Sequence, residues 1–223
     1  MSNQLKVYIE GGNSDYSRLV EHFGEEVYDL DEANVILFTG GSDVTPNLYG
    51  ETRHARTACN PARDAHEAAI YHTSRAINNT VPRAYIGICR GGQFLNVMNG
   101  GKLYQHVESH TQDHFVKDLV GKSVHLCSST HHQMFRPSVD AKVLAVACNS
   151  SGDIQSGTQK HTADICYPHA KDYDFEALWY PDTKSLCFQP HPEFHGYIDC
   201  RNLFLSYVDT YVTPSLFPSK ESN

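Results

Sequence analysis

The residues of this chain best suited to chemistry are a cysteine set among glycines, in the run Gly87-Ile88-Cys89-Arg90-Gly91-Gly92-Gln93, and a distant histidine and glutamate, His191 and Glu193, on either side of Pro192. A thiol becomes a strong nucleophile once an imidazole within hydrogen-bond reach takes its proton. The imidazole in turn needs a carboxylate to fix its tautomer and stabilise its cation. Cys89, His191 and Glu193 supply these three groups. Pro192 stiffens the backbone between the last two, so that both can be aimed into one cleft.

The elements that must position them can be read from the apolar pattern. Arg83 to Ile88 reads as a short buried strand, and Phe94, Leu95, Val97 and Met98 follow at the spacing of a buried helix face. Cys89 then falls at a strand-to-helix junction, where unpaired first-turn N–H groups and the helix dipole favour a thiolate. Glycines at 87, 91 and 92 are expected to allow a tight turn and the close approach of a substrate. The alternative for any cysteine is a small core residue. The seven cysteines are scattered without a Cys-x-x-Cys pair, which argues against both a disulfide framework and a zinc ribbon.

Elsewhere strands and helices alternate. Leu5–Glu10 and Val35–Phe38 read as strands, Asp15–Phe23 as a helix capped by Ser14 or Asp15, and 62–78 as a helix leading into the nucleophile strand. This is βαβ logic and predicts an α/β protein with a largely parallel sheet. Gly100 and Gly101 end the helix after Cys89, and Lys102–Tyr104 is extended. Val143–Ala147 reads as a strand, and Phe175–Trp179 with Ser185–Phe188 as an antiparallel hairpin. A final helix is expected over Tyr197–Val212. The pattern predicts one domain over residues 1–212 and a frayed tail at 213–223. The polar stretch 149–172 reads as a substrate lid or a plain insertion, the lid being favoured.

A formal charge of −8 disfavours nucleic acid as a partner and would steer cationic ligands inward. No apolar run approaches a membrane span and the first residues are too polar for a secretory signal, so a cytoplasmic, membrane-free protein is expected. His106, His110 and His114 recur at helical spacing and His131 and His132 are adjacent, but no accompanying carboxylate or cysteine completes a familiar ligand set. Neither a metal nor another cofactor is expected.

The run GICRGGQ followed by QPHPE resembles the signature of class I glutamine amidotransferases. The segments FTGGSDVTPNLYGE (38–51), RDAHE (63–67), NVMNGGKLYQHV (96–107) and THHQ (130–133) are similar to the free-standing γ-glutamyl hydrolase branch, of the γ-glutamyl-γ-aminobutyrate hydrolase type. The resemblance implies a flavodoxin-like three-layer sandwich with a mostly parallel central sheet and the triad Cys89, His191 and Glu193. It further implies an oxyanion hole from the backbone of Gly41 and Arg90, and substrate contacts from Gly40, Gln93, His132 and Gln133. The implied reaction is hydrolysis of a γ-glutamyl amide through a thioester. The alternative is a glutaminase subunit passing ammonia to a separate synthetase. Two departures bear on substrate choice: Gly92 stands where a larger residue is common, and Ser128-Ser129 where Asn-Ser is common.

Overall fold

The structure, a computed structural model, describes residues 4–76, 82–107, 110–148, 154–156, 159–160 and 174–218. In chain order its strands are β1 (Lys6–Glu10), β2 (Glu25–Val27), β3 (Val35–Phe38), β4 (Ala84–Ile88), β5 (Lys102–Tyr104), β6 (His106–Val107), β7 (His114–Asp118), β8 (Val124–Cys127), β9 (Met134–Arg136), β10 (Lys142–Ala147), β11 (Ile154–Ser156), β12 (Gln159–Lys160), β13 (Phe175–Tyr180) and β14 (Ser185–Phe188). The α-helices are α1 (Ser14–Val20), α2 (Pro61–Ala76), α3 (Arg90–Met98), α4 (Ile198–Tyr207) and α5 (Thr213–Leu216).

β3, β4 and β14 are buried at every position, as expected of strands covered on both faces. Alternate side chains enter two separate cores. Val35, Leu37, Ile86 and Ile88 pack with Leu19 of α1 and Phe204 of α4, while Ile36, Phe38 and Tyr85 pack with Tyr71 of α2 and Phe94 of α3. The result is a helix–sheet–helix sandwich. Its main sheet has nine strands in the order β2-β1-β3-β4-β14-β13-β10-β7-β8. The first five are mutually parallel, and the remaining strands join antiparallel. Because β10 and β8 return to the direction of the first five, seven of the nine strands point one way.

Several boundaries differ from the sequence reading. Helix α1 is capped by Asn13, whose side chain accepts the Asp15 N–H, and it ends at Val20. The histidines at 106 and 114 lie on strands β6 and β7, so the four-residue interval of the series 106, 110, 114 is not helical. After α4 the chain widens into a π-turn, Val208–Val212, and continues into α5. Thr213–Leu216 is thus ordered, because Pro214 fits the first turn of α5 and Val208, Val212 and Leu216 all reach the core. The expected end of helix 62–78 and the 149–172 stretch fall wholly or mainly outside the described residues.

Candidate active site

Cys89 occupies the junction between β4 and α3 with φ 51° and ψ −112°, a conformation that a residue with a Cβ adopts at a cost. The strain is held from both sides. Cys89 N–H donates to the Phe188 carbonyl at the end of β14 (2.7 Å), and Gln93 N–H donates to the Cys89 carbonyl (3.0 Å). None of Gly87, Gly91 and Gly92 is among the glycines with positive φ. What they provide is clearance within the protein: a Cβ at Gly91 would overlap the Phe38 carbonyl, and one at Gly87 would overlap the backbone of Gly91. They let α3 rest directly on β3 and β4, and the turn itself is made by Cys89.

The histidine and glutamate follow β14, which lies beside β4, so the parallel register delivers them to the cysteine. His191 Nδ1 is 2.7 Å from Glu193 Oε1, and the ring stacks on Phe194 at 4.4 Å between centroids. Burial alone would depress the imidazolium. The Cys89 sulfur and the Glu193 carboxylate beside it outweigh that and push its pKa up to about 10. Thr130 Oγ1 also reaches His191 Nε2 (2.9 Å), and the Ser128 hydroxyl donates to the His191 carbonyl (2.9 Å) and lies 3.2 Å from its N–H.

Facing Cys89 is the loop after β3. Gly40 N–H donates to Tyr16 Oη (2.9 Å), and a Cβ at Gly40 would stand 3.2 Å from His191 Cε1. Gly40 therefore contributes space beside Cys89 and His191. Gly41 has φ +144°, and a Cβ there would overlap the Arg63 guanidinium. Arg63 reaches the carbonyls of Gly40 (2.9 Å) and Thr39 (3.0 Å) and pairs with Glu67 (2.7 Å). Glu67 and Asp64 both pair with the buried Arg90 guanidinium. Burial brings Arg90 down to about 10, so it stays charged at neutral pH. The Gly41 backbone and the first-turn N–H of Arg90 are thus registered to one another through one chain of charges. RDAHE carried the signal, since Asp64 and Glu67, three apart, share one face of α2.

The remaining residues singled out from sequence divide into two groups. Gln93 is buried and its Nε2 donates to the Gln133 carbonyl (3.2 Å) and Gln189 Oε1 (3.3 Å), while Gln133 Nε2 donates to the Gln105 carbonyl (3.2 Å). These two amides knit the wall of the site. His132 lies apart and partly exposed, with Nε2 3.2 Å from Asp43 Oδ1, and Asp43 holds it more readily protonated than usual. Tyr16 carries no signal in the sequence that would link it to the site, and Thr130 only its place at the head of THHQ. Tyr16 comes from α1, and burial together with the Glu193 carboxylate raises its phenol well above the ordinary range, keeping it a neutral hydrogen-bonding group.

Residues 24–193 match the peptidase C26 family. The chain belongs to the peptidase C26 family. Its relatives within the class I glutamine amidotransferase-like group include a Mycobacterium tuberculosis protein provisionally named a glutamine amidotransferase, 32% identical over 198 residues. That alignment covers 81% of this chain and 56% of the relative, so the chain spans little more than half of that protein's length. A glutamine amidotransferase-like protein named as a YvdE homolog, from Lactococcus lactis, is 45% identical over 71 residues, 31% of this chain and 36% of its own. Among solved structures, a glutamine amidotransferase of Thermotoga maritima superimposes with a TM-score of 0.56 at 13% identity, covering 99% of this chain and 91% of that one. A chain of the PurLQS structure from the same organism gives 0.58 at 16% identity, covering 93% and 99%. The α/β sandwich is therefore a class I glutamine amidotransferase fold. Among the described residues no helix is long and apolar enough to cross a membrane.

Proposed function

We propose that this peptidase C26 protein is a thiol hydrolase of γ-glutamyl amides, with Cys89 as nucleophile, His191 as acid and base, and Glu193 as the group that orients His191. The observation that carries this reading is the strained Cys89 backbone at the head of α3, opposite a histidine whose Nδ1 is 2.7 Å from a buried carboxylate. The Cys89 sulfur attacks the amide carbonyl, and the oxygen that becomes negative is met by the N–H groups of Gly41 and Arg90. One such donor typically contributes about 10²–10³ in rate. His191, entering as imidazolium, gives its proton to the departing nitrogen, and an amine or ammonia leaves. Water then attacks the γ-glutamyl thioester with neutral His191 as base, releasing glutamate and restoring the thiolate–imidazolium pair.

Gly40, Gln93, His132 and Gln133 would border the glutamyl portion, Gly40 by the room it leaves, Gln93 and Gln133 as a rigid wall, and His132 with Asp43 at the rim. The resemblance of 38–51 and 96–107 to the γ-glutamyl hydrolase branch favours a free-standing enzyme that needs no synthetase. Mass spectrometry of the products formed from glutamine and a panel of γ-glutamyl amines by the protein alone tests this. Release of glutamate and free amine, with at least one γ-glutamyl amine preferred over glutamine, is expected. Inactivity toward the whole panel, with ammonia appearing only when a synthetase is added, would replace it with the glutaminase reading.

A further inference from the structure

A second polar cluster lies behind the candidate triad, and the proposed hydrolysis does not use it. Glu176 of β13 is fully buried, and its charged partners among the described residues are histidines alone. Its Oε1 is 3.2 Å from His114 Nε2 and 3.7 Å from His110 Nε2, and its Oε2 is 3.8 Å from His131 Nε2. Asp174 Oδ2 stands 3.2 Å from His110 Nε2. The side chains of all five residues are more than nine-tenths buried. A buried carboxylate is ordinarily hydrogen-bonded, paired with a full charge or bound to a metal. Yet among the described residues His114 Nε2, His131 Nε2 and both Glu176 oxygens have no partner in good hydrogen-bond geometry.

The backs of the rings show where one proton sits. His114 Nδ1 is 3.1 Å from the Gln112 carbonyl and His131 Nδ1 is 2.9 Å from the Gln133 carbonyl. A carbonyl can only accept, so Nδ1 carries a proton, and Nε2 either carries a second one or presents a lone pair toward the carboxylate. A buried carboxylate facing three Nε2 atoms needs a cation between them, either a second ring proton or a metal ion. Metal-binding histidines show this same arrangement, with the outer nitrogen hydrogen-bonded to a carbonyl or carboxylate.

We propose that His110, His114 and Glu176 bind a divalent transition-metal ion, zinc being the best fit, with His131 and Asp174 bordering the site, where a shift of either would complete a four-ligand shell. One ligand atom from each of the three lies within 4.8 Å of the others. Around a tetrahedral zinc with bonds of roughly 2.0–2.1 Å, neighbouring ligand atoms sit about 3.3 Å apart, close to the separations from Glu176 Oε1. Imidazole nitrogen and carboxylate oxygen suit zinc far better than calcium or magnesium. The ion would act structurally, at a distance from the reacting atoms. It would tie β7 and the segment ahead of His131 to β13, and that segment is the one whose Ser128 and Thr130 touch His191.

The test is metal content by inductively coupled plasma mass spectrometry on protein purified without chelator and then dialysed against excess zinc, together with visible spectra of the cobalt-substituted protein. The wild type is expected to hold one zinc per chain and to give the intense visible bands of four-coordinate cobalt. His114→Ala and Glu176→Gln should bind at least about tenfold more weakly. The exposed His72→Ala should bind as wild type, and so should Cys89→Ala, which makes the result independent of the proposed hydrolysis. Wild type holding no more metal than His114→Ala would overturn the proposal, leaving a histidinium–carboxylate pair in its place. Should the variants fail to fold, a wild-type cobalt spectrum like that of the hydrated ion is sufficient to overturn it.

Discussion

The Cys89 elbow and the Glu176 cluster stand at the same end of the sheet and are built by opposite means. The elbow comes from one continuous run in which a strand meets a helix, and its defining feature is a single strained backbone position. The cluster draws His110 from the segment ahead of β7, His114 from the start of β7, His131 from the segment after β8 and Glu176 from β13, with β10 between β7 and β13 in the sheet. A site made by local backbone geometry announces itself in sequence. A site made by the register of an antiparallel half-sheet does not, because its members become neighbours only when distant strands pair.

The largest effect that could break this contrast concerns the triad. Cys89→Ala and His191→Ala should each lower kcat by about 10⁴-fold or more, while Glu193→Gln should retain measurably more activity, since an amide oxygen can still accept from Nδ1. Steady-state rates that survive His191→Ala would remove the proposed mechanism. Next is the claim that the elbow glycines serve packing. Gly91→Ala, whose Cβ would overlap the Phe38 carbonyl, should destabilise by about 3 kcal/mol in chemical denaturation. Gly50→Ala meets open space and pays only for a φ of +71°, about 1 kcal/mol. Equal losses at the two positions would mean that clearance between α3 and β3 is not what Gly91 provides.

Tyr16→Phe sharpens the comparison from the opposite side of the cleft. It removes the acceptor for Gly40 N–H without emptying the space, so kcat should fall about tenfold with little change in KM. An unchanged kcat would show that the loop after β3 holds its position through Arg63 alone.

The electrostatics of His191 provide a smaller effect with a definite sign. Its folded pKa of about 10 lies above the ordinary 6.5, so the stabilisation it brings is complete below about 6.5 and is lost as pH climbs through about 10. The melting-temperature gap between wild type and His191→Gln should be widest near pH 6 and close toward pH 10. In Cys89→Ala the NMR titration midpoint of His191 should drop, because the sulfur is the principal influence raising it. A midpoint unmoved by Cys89→Ala would place the two groups out of contact.

The sequence made the parallel half of the fold legible, since β3, β4 and β14 are short apolar runs bounded by turn residues and α3 carries a clear apolar face. It hid β7 and β8, whose outward residues Phe115, Val124 and Leu126 are apolar and exposed, so neither strand shows a clean alternation. The three residues proposed as a triad are legible for the same local reasons. The sequence did not disclose Tyr16 or Thr130, which reach His191 and the Gly40 loop only through tertiary packing. The histidine spacing at 106, 110 and 114 was misleading in a specific way. A four-residue interval suggests one helix face, whereas here the chain crosses from β6 to β7, and the missing carboxylate lay on β13.

If Cys89 is the activated nucleophile proposed above, alkylation of the cysteines should follow activation rather than exposure. Of the described cysteines Cys148 is exposed, Cys59 is intermediate and Cys89 is buried. Reaction with limiting iodoacetamide near pH 6, followed by peptide mapping, should label Cys89 ahead of Cys148 and Cys59, and His191→Ala should reverse that order. Labelling of Cys148 first in the wild type, with the order untouched by His191→Ala, would contradict the account.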